Sequence, residues 1–395
     1  MKIGPYAAAP TESPDYPKRI RALHQLVMKK RKILHLLVAA GFFLSTGLTS
    51  CSNADSGFST ADQQQAMIDL GFMLMFDGEF SRPDGISCGA CHDPQLGWGD
   101  ARPQGKGVQD HTLAGATGSI PHDGNLAVAG PRFKTILTGR NTPTIYNSHV
   151  FPNNFWDGRA GDLAHQANFP VGGFNEMNSD WGTDVIPIVE DNTEYMALYE
   201  EAFSTVVVTQ PNLTRSIGAY EETISVFDTP YDKYIAGDAS AMSAAETAGM
   251  DLFFGKAACY LCHTAPMLTD LSYHNIGVPD FGQIPLTGGT DIGRGAGDDW
   301  TGAPSGPVTS NPNPADDYKF KTPQLRMTKV TGPYFHNGFG ATIEEAVEFM
   351  ATGGGTDLSV SGTKAPEIID RGLTVQELAD LTTFVRDALM GTEIK

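Results

Sequence analysis

Two short segments, Cys88-Gly89-Ala90-Cys91-His92 and Cys259-Tyr260-Leu261-Cys262-His263, repeat the pattern Cys-x-x-Cys-His and use four of the chain's five cysteines. In this pattern the two thiols add across the vinyl groups of a haem, and the adjacent histidine ligates the iron. Two residues between the thiols match the separation of the vinyls and bring the histidine beneath the metal. A lone Cys-x-x-Cys pair would also suit a redox dithiol or half of a zinc site. Two complete copies predict two covalently bound haem c groups, with His92 and His263 as iron ligands.

The fifth cysteine belongs to an export signal. Lys29-Lys30-Arg31-Lys32 is a basic cluster followed by an apolar run from Ile33 to Leu44 and then by Leu48-Thr49-Ser50-Cys51. This layout reads as a signal peptide, shorter than a comfortable membrane span, and its ending resembles a lipoprotein cleavage site that would leave a lipid anchor on Cys51. An uncleaved N-terminal anchor is the alternative. Met28 directly precedes the basic cluster, so translation is expected to start there, with residues 1–27 not translated. Either way the domain is expected in the periplasm or on the outer face of a bacterial membrane.

Beyond the export segment, residues 1–51, the chain keeps 19 basic and 44 acidic side chains, a net charge of −25. Such a surface repels nucleic acid and anionic membranes and steers a cationic partner. A small basic cytochrome c is one such partner. The remaining length suits two domains, each large enough to enclose one haem, here 52–235 and 236–395. Helical apolar stretches ending in Phe precede each motif, Ala66 to Phe76 and Ala245 to Phe254. Ser243 with Glu246, Thr342 with Glu345 and Thr374 with Glu377 each fit a capping box. Leu378, Leu381, Phe384, Val385 and Leu389 recur at helical spacing and read as core. Sustained alternation is scarce, so few short strands are expected. The fold class is therefore all-α. Gly- and Pro-rich connections run from Gly105 to Pro131 and from Gly277 to Pro314, long enough for site-covering loops or surface insertions.

Several ordered segments carry a family resemblance: Arg140-Asn141-Thr142-Pro143-Thr144, Phe155-Trp156-Asp157-Gly158-Arg159-Ala160, Glu176-Met177, Phe253-Phe254-Gly255-Lys256 and Thr331-Gly332-Pro333-Tyr334-Phe335-His336. With both haem motifs they span roughly residues 70–390, and together they resemble the bacterial di-haem cytochrome c peroxidases and the related methylamine dehydrogenase maturation enzymes. The resemblance implies two cytochrome c-like domains related by a pseudo-two-fold, with haems at their interface. It makes the first haem, on His92, the hydrogen peroxide site. Glu176 and Gln166 match the distal pocket, the carboxylate shuttling a proton between the peroxide oxygens and the amide orienting the peroxide. Trp156 is similar to the tryptophan that carries electrons between the haems.

For the second haem the resemblance gives Met350 as the sixth ligand. The Thr342 cap would put Ile343, Ala346, Val347 and Met350 on one helix face. Maturation enzymes carry a Tyr at this position, so Met350 favours a peroxidase. A calcium ion between the domains is also implied, held by the Asn141 side chain and the carbonyls of Thr331 and Pro333. His336 is expected to hydrogen-bond near the inter-haem region. One departure stands out: where activation-dependent peroxidases place a distal histidine, this chain has Gly130-Pro131-Arg132-Phe133. That favours an always-open first haem, unless His111 or His122 reaches back to cap it. No role is assigned to His149, His165 or His274.

The resulting expectation is peroxide reduction with electrons from a small cytochrome c or cupredoxin. A homodimer is a common assembly of the family. Two rivals stay open: an oxidase of the maturation type acting on a protein or organic substrate, and a di-haem electron carrier without substrate chemistry.

Overall fold

The computed structural model describes residues 59–82, 85–105, 107, 138–173, 175–279, 291–299, 314–355 and 363–392. The export segment with Cys51, the stretch Gly130–Phe133, and His111 and His122 lie outside the described residues.

Helices dominate in chain order: α1 Thr60–Phe76, the one-turn α2 Cys88–Cys91, α3 Leu163–Gly172, α4 Ile186–Asp191, α5 Thr193–Phe203, α6 Gln210–Glu221, α7 Pro230–Ile235, α8 Ala244–Phe254, α9 Ile343–Ala351 and α10 Val375–Thr383. The described strands are β1 Tyr273–His274 and β2 Phe320–Lys321, an antiparallel pair with Tyr273 opposite Lys321. α1 begins six residues before the expected Ala66, because Ser59 and Asp62 close a capping box that was not read from the sequence. The expected boxes at Ser243–Glu246 and Thr374–Glu377 are complete. At Thr342 only half forms: Thr342 caps Glu345 N–H, while the Glu345 carboxylate accepts from Ala341 N–H, one residue further out. α6 ends at Glu221.

Two apolar cores result. The first gathers Ala66, Leu70 and Leu74 of α1, Ala167 and Val171 of α3, Leu198 and Tyr199 of α5, and Leu213 and Ile217 of α6. The second gathers Phe253 of α8, Ile343 and Val347 of α9, Leu381 of α10, and Phe384, Val385 and Leu389 beyond it. A smaller cluster of Met75, Ile145, Tyr146, Ile224, Val226 and Met327 lies apart from both.

The same devices recur in both halves. α1 crosses α6 where a Cβ on Gly71 would overlap the Ser216 carbonyl, and α8 crosses α10 where a Cβ on Gly249 would overlap the Asp380 carbonyl. Only glycine lets the backbones approach this closely. Gly249→Ala is expected to force the helices apart at a cost of about 1–3 kcal/mol, measurable as a lowered unfolding midpoint in guanidinium. Asn154 bridges Ala160 ahead of α3, and Tyr334 bridges Gly340 ahead of α9. Within these turns Phe155 and Gly158, like Phe335 and Gly338, have positive φ. Asp162 and Thr342 then cap the two helices. Trp156 and His336 thus occupy matching positions.

Candidate haem centres

One continuous cavity runs between the two Cys-x-x-Cys-His motifs. Its lining includes both cysteine pairs, His92 and His263, together with Gln166, Glu176, Trp156, Met350, Asn141, Thr331 and Pro333. Every residue expected at the site from the sequence therefore faces one space, although the residues are scattered over more than 260 positions of chain.

The local geometry of each motif suits a haem. His92 sets its Nδ1 3.0 Å from the Trp98 carbonyl, and His263 sets its Nδ1 2.9 Å from the Leu268 carbonyl. An Nδ1–H donated to a carbonyl fixes the tautomer and leaves the Nε2 lone pair for a metal. Burial pushes both histidines below their ordinary pKa, which keeps the imidazoles neutral as iron ligands must be. The turns that supply those carbonyls follow directly: Gly97, at φ 68°, turns the chain back after the first motif, and Leu268, at φ 57°, does so after the second. Residues of the apolar cores, among them Ile217, Phe253, Val347 and Leu381, complete the walls. An apolar, closed-in cradle with two thiols and one imidazole per end fits a covalent haem at each end. Cys262 also lies within 4.8 Å of Asp270 and His274. His274 Nε2 is already engaged by Asp270 at 2.7 Å, and a thioether at Cys262 would no longer offer a thiolate.

Around the first motif, α3 presents Gln166, and the turn that follows presents Glu176. Glu176 N–H donates to the Gly173 carbonyl at 2.9 Å, closing that turn. A Cβ on Gly173 would lie 2.4 Å from Glu176 Oε2, so a side chain there would displace that carboxyl. Burial raises the Glu176 carboxyl above the ordinary carboxylate range, and the nearby Arg159 guanidinium pulls it back in part. Arg159 lies over the Phe155 ring, 3.6 Å from its centroid, and pairs with Asp157 at 2.9 Å.

Between the motifs, Trp156 Nε1–H donates to the Asn141 carbonyl at 2.9 Å. Asn141 N–H donates to the His336 carbonyl at 2.7 Å, and Lys321 N–H donates to the Trp156 carbonyl at 2.7 Å. The Trp156 loop is thereby tied to two segments of the later half. The His336 ring does not hydrogen-bond a described residue as expected; it lies flat on Phe320 with centroids 3.6 Å apart. Burial lowers it to about 4, so it is neutral at pH 7. Lys321 is half-buried, and desolvation lowers it to about 7, its Nζ donating to the Asn153 carbonyl.

Met350 lies on α9 with Ile343, Ala346 and Val347 on the face lining the cavity, as the helix spacing required. Asn141 Nδ2–H donates to the Arg102 carbonyl, leaving Oδ1 for another partner, and Thr331 and Pro333 border the same cavity. Three neutral oxygen donors of this kind suit calcium. The histidines without an assigned role are locally engaged: His149 edge-on to Phe227, His165 accepting from Gly161 N–H, His274 against Asp270.

Sequence reading missed the buried ion network. Arg140 bonds Asp157 at 2.6 Å and Asp291 at 2.6 and 2.8 Å, and Asp157 also holds Arg159. It also missed Glu221, at the end of α6 on the cavity wall. The signal was present: Leu213, Ile217 and Glu221 follow at four-residue steps, so an acid stands on an apolar stripe.

The chain is similar to known proteins. Residues 65–240 match the di-haem cytochrome c peroxidase family model. The chain is 33% identical over 354 residues to the cytochrome-c peroxidase IdrP1 of Denitromonas iodatirespirans, covering 85% of this chain and 83% of that one. It is 32% identical over 318 residues to the methylamine utilization protein MauG of Methylorubrum extorquens, covering 80% and 76%. A crystal structure of a MauG-like protein associated with microbial copper homeostasis superposes with a TM-score of 0.64 at 25% identity, covering 89% of this chain and 95% of that one. With two haem cradles at the ends of one cavity and identity above 30% across most of its length, the chain is a haem-dependent oxidoreductase belonging to the di-haem cytochrome c peroxidase family.

Proposed function

We propose that the chain reduces hydrogen peroxide to water with electrons from a small donor protein, a cytochrome c or cupredoxin. The observation that carries this reading is Glu176: a desolvated carboxyl on the wall of the cavity that His92 and Gln166 also border. The balance is one peroxide, two electrons and two protons to two waters.

When bound, the first haem supplies an iron that polarises the peroxide and accepts its oxidising equivalents. The protein's residues handle the protons and the geometry. Glu176 in its carboxylate form takes the proton from one peroxide oxygen and returns it to the other, so that the leaving group is water rather than hydroxide. Gln166 orients the peroxide through its amide. Arg159 keeps the carboxylate form of Glu176 within reach despite burial. Trp156, held at its indole N–H and its carbonyl, would help electrons cross between the two haems. His263 and Met350 would hold the second iron, and a thioether ligand would raise its potential, as suits an iron that takes electrons from the donor.

Asn141 Oδ1 with the Thr331 and Pro333 carbonyls would hold calcium between the halves, whose repeated devices suit a pseudo-two-fold pairing of haem domains. Export through the 1–51 segment, a lipid on Cys51 and a periplasmic location complete the reading, with a homodimer as the assembly. Among the described residues no helix is long and apolar enough to cross a membrane.

The experiment is a steady-state assay with the haem-loaded protein and a basic cytochrome c. Two donor molecules should be oxidised per peroxide, at a rate that falls with added salt because the surface is strongly acidic. No donor oxidation at any ionic strength would refute the reading. A second prediction concerns Met350: Met350→His should lower the potential of the second haem by on the order of 0.1 V or more, since axial ligands set haem potentials over about 0.8 V. A potentiometric titration followed in the visible spectrum reads it.

The similarity to MauG supports a second reading, oxidation of a protein or organic substrate. Met350 argues for the first, because the resemblance places a Tyr there in maturation enzymes. An electron-carrier role would leave Glu176 and Gln166 without work.

A further inference from the structure

Glu221 closes α6 and is only 4% exposed. It borders the cavity together with Cys88, Ile217, Ile145 and Tyr146. α6 packs on α1 and α3, and α3 is the helix that presents Gln166. Glu221 and Glu176 both raise the Cys88 thiol, so the two carboxyls flank the first motif. Among the described residues no cation and no side-chain donor compensates Glu221; burial alone shifts it, up to about 8. The ionisable groups on the elements packed around it are Asp62 and Asp69 of α1, His165 of α3, His149 of the adjoining turn, and Glu176 and Arg159 across the cavity. None of them contributes to that shift.

An unpaired carboxylate in an apolar wall is costly, so the group is held as the neutral acid. A neutral acid facing a reaction cavity can give a proton. Peroxide reduction consumes two protons from outside, and Glu176 supplies neither: it returns the proton it takes.

We propose that Glu221 is the proton-delivery residue of the first haem pocket, passing one of the two consumed protons toward the peroxide-derived oxygen. Its O–H bond breaks as an O–H bond of product water forms, directly or across a bridging water, and solvent then reprotonates the carboxylate. This rests on the peroxidase reading above, but the group's redox-linked proton can be measured without turnover.

The test uses haem-loaded wild type, Glu221→Gln and Glu221→Asp. In the ferric-minus-ferrous infrared difference spectrum, wild type should show a protonated-carboxyl C=O band that shifts in deuterium oxide and is missing in Glu221→Gln. Peroxide turnover of Glu221→Gln should fall at least about tenfold at neutral pH, with haem content unchanged and partial recovery in Glu221→Asp. A C=O band that survives in Glu221→Gln, or no such band in wild type, overturns the proposal. Wild type that never turns over peroxide yet loses the band on substitution refutes the peroxidase reading alone. Should Glu221→Gln fail to take up haem, Glu221→Asp decides, by a shifted band and a changed pH profile.

Discussion

Glu176→Gln should lower peroxide turnover by about 10²–10⁴-fold, the usual worth of a positioned proton-transfer group. The amide keeps the size of the side chain but cannot accept the proton. Haem content and the ferric spectrum should not change, which separates a chemical role from a structural one. The pH profile gives a second reading. Burial raises the Glu176 carboxyl, with Arg159 opposing in part. Because the base must be ionised, activity should fall on acidification with its midpoint above the ordinary glutamate value, and this limb should vanish in the variant. A wild-type profile flat through that range would speak against Glu176 as the base.

The largest stability effect is expected at Asp157. Its carboxylate is 3% exposed and holds Arg140 at 2.6 Å and Arg159 at 2.9 Å. Asp157→Ala leaves two buried guanidinium groups short of negative charge, which costs about 3–5 kcal/mol. Asp291 compensates Arg140 but not Arg159. The sign with pH is fixed by the depressed native pKa: burial raises it, and the two arginines more than offset that. The stabilisation is therefore present above the unfolded-state value of about 4 and lost as pH falls through the lower native value. Urea melts of wild type and variant at neutral pH and at strongly acid pH should converge on acidification. The variant should also slow electron exchange between the haems, since Asp157 directly follows Trp156 and its ion pairs with Arg140 and Arg159 help hold that loop.

The chemistry-bearing residues were the legible part of this chain. Cys-x-x-Cys-His encodes its own geometry, because thiol spacing and the adjacent histidine must match one rigid macrocycle. The cavity-lining place of Met350 was legible because a cap at Thr342 sets the phase of α9, whereas its role as a ligand came from the family resemblance alone. Local side-chain bonding was harder. Thr342–Glu345 and Ser59–Asp62 have the same spelling, yet which backbone N–H the acid finds depends on the chain entering the helix. The Arg140–Asp157–Asp291 network spans 151 positions, and nothing local in the sequence announces such a pairing. The stacking of His336 on Phe320 had no local signal either, because it depends on where β2 is placed by the fold. Glu221 was readable as an acid on an apolar stripe, though only the fold shows that the stripe borders the cavity.

The central claim is that the first haem takes peroxide without prior reduction. It is tested most directly by stopped-flow absorption of the fully oxidised, haem-loaded protein mixed with one equivalent of hydrogen peroxide. The account predicts rapid loss of the high-spin ferric band, restored by two equivalents of reduced cytochrome. A response only after one haem has been reduced would contradict the open site and point to a capping side chain such as His111 or His122. No response in either redox state would contradict the enzyme itself and leave an electron carrier.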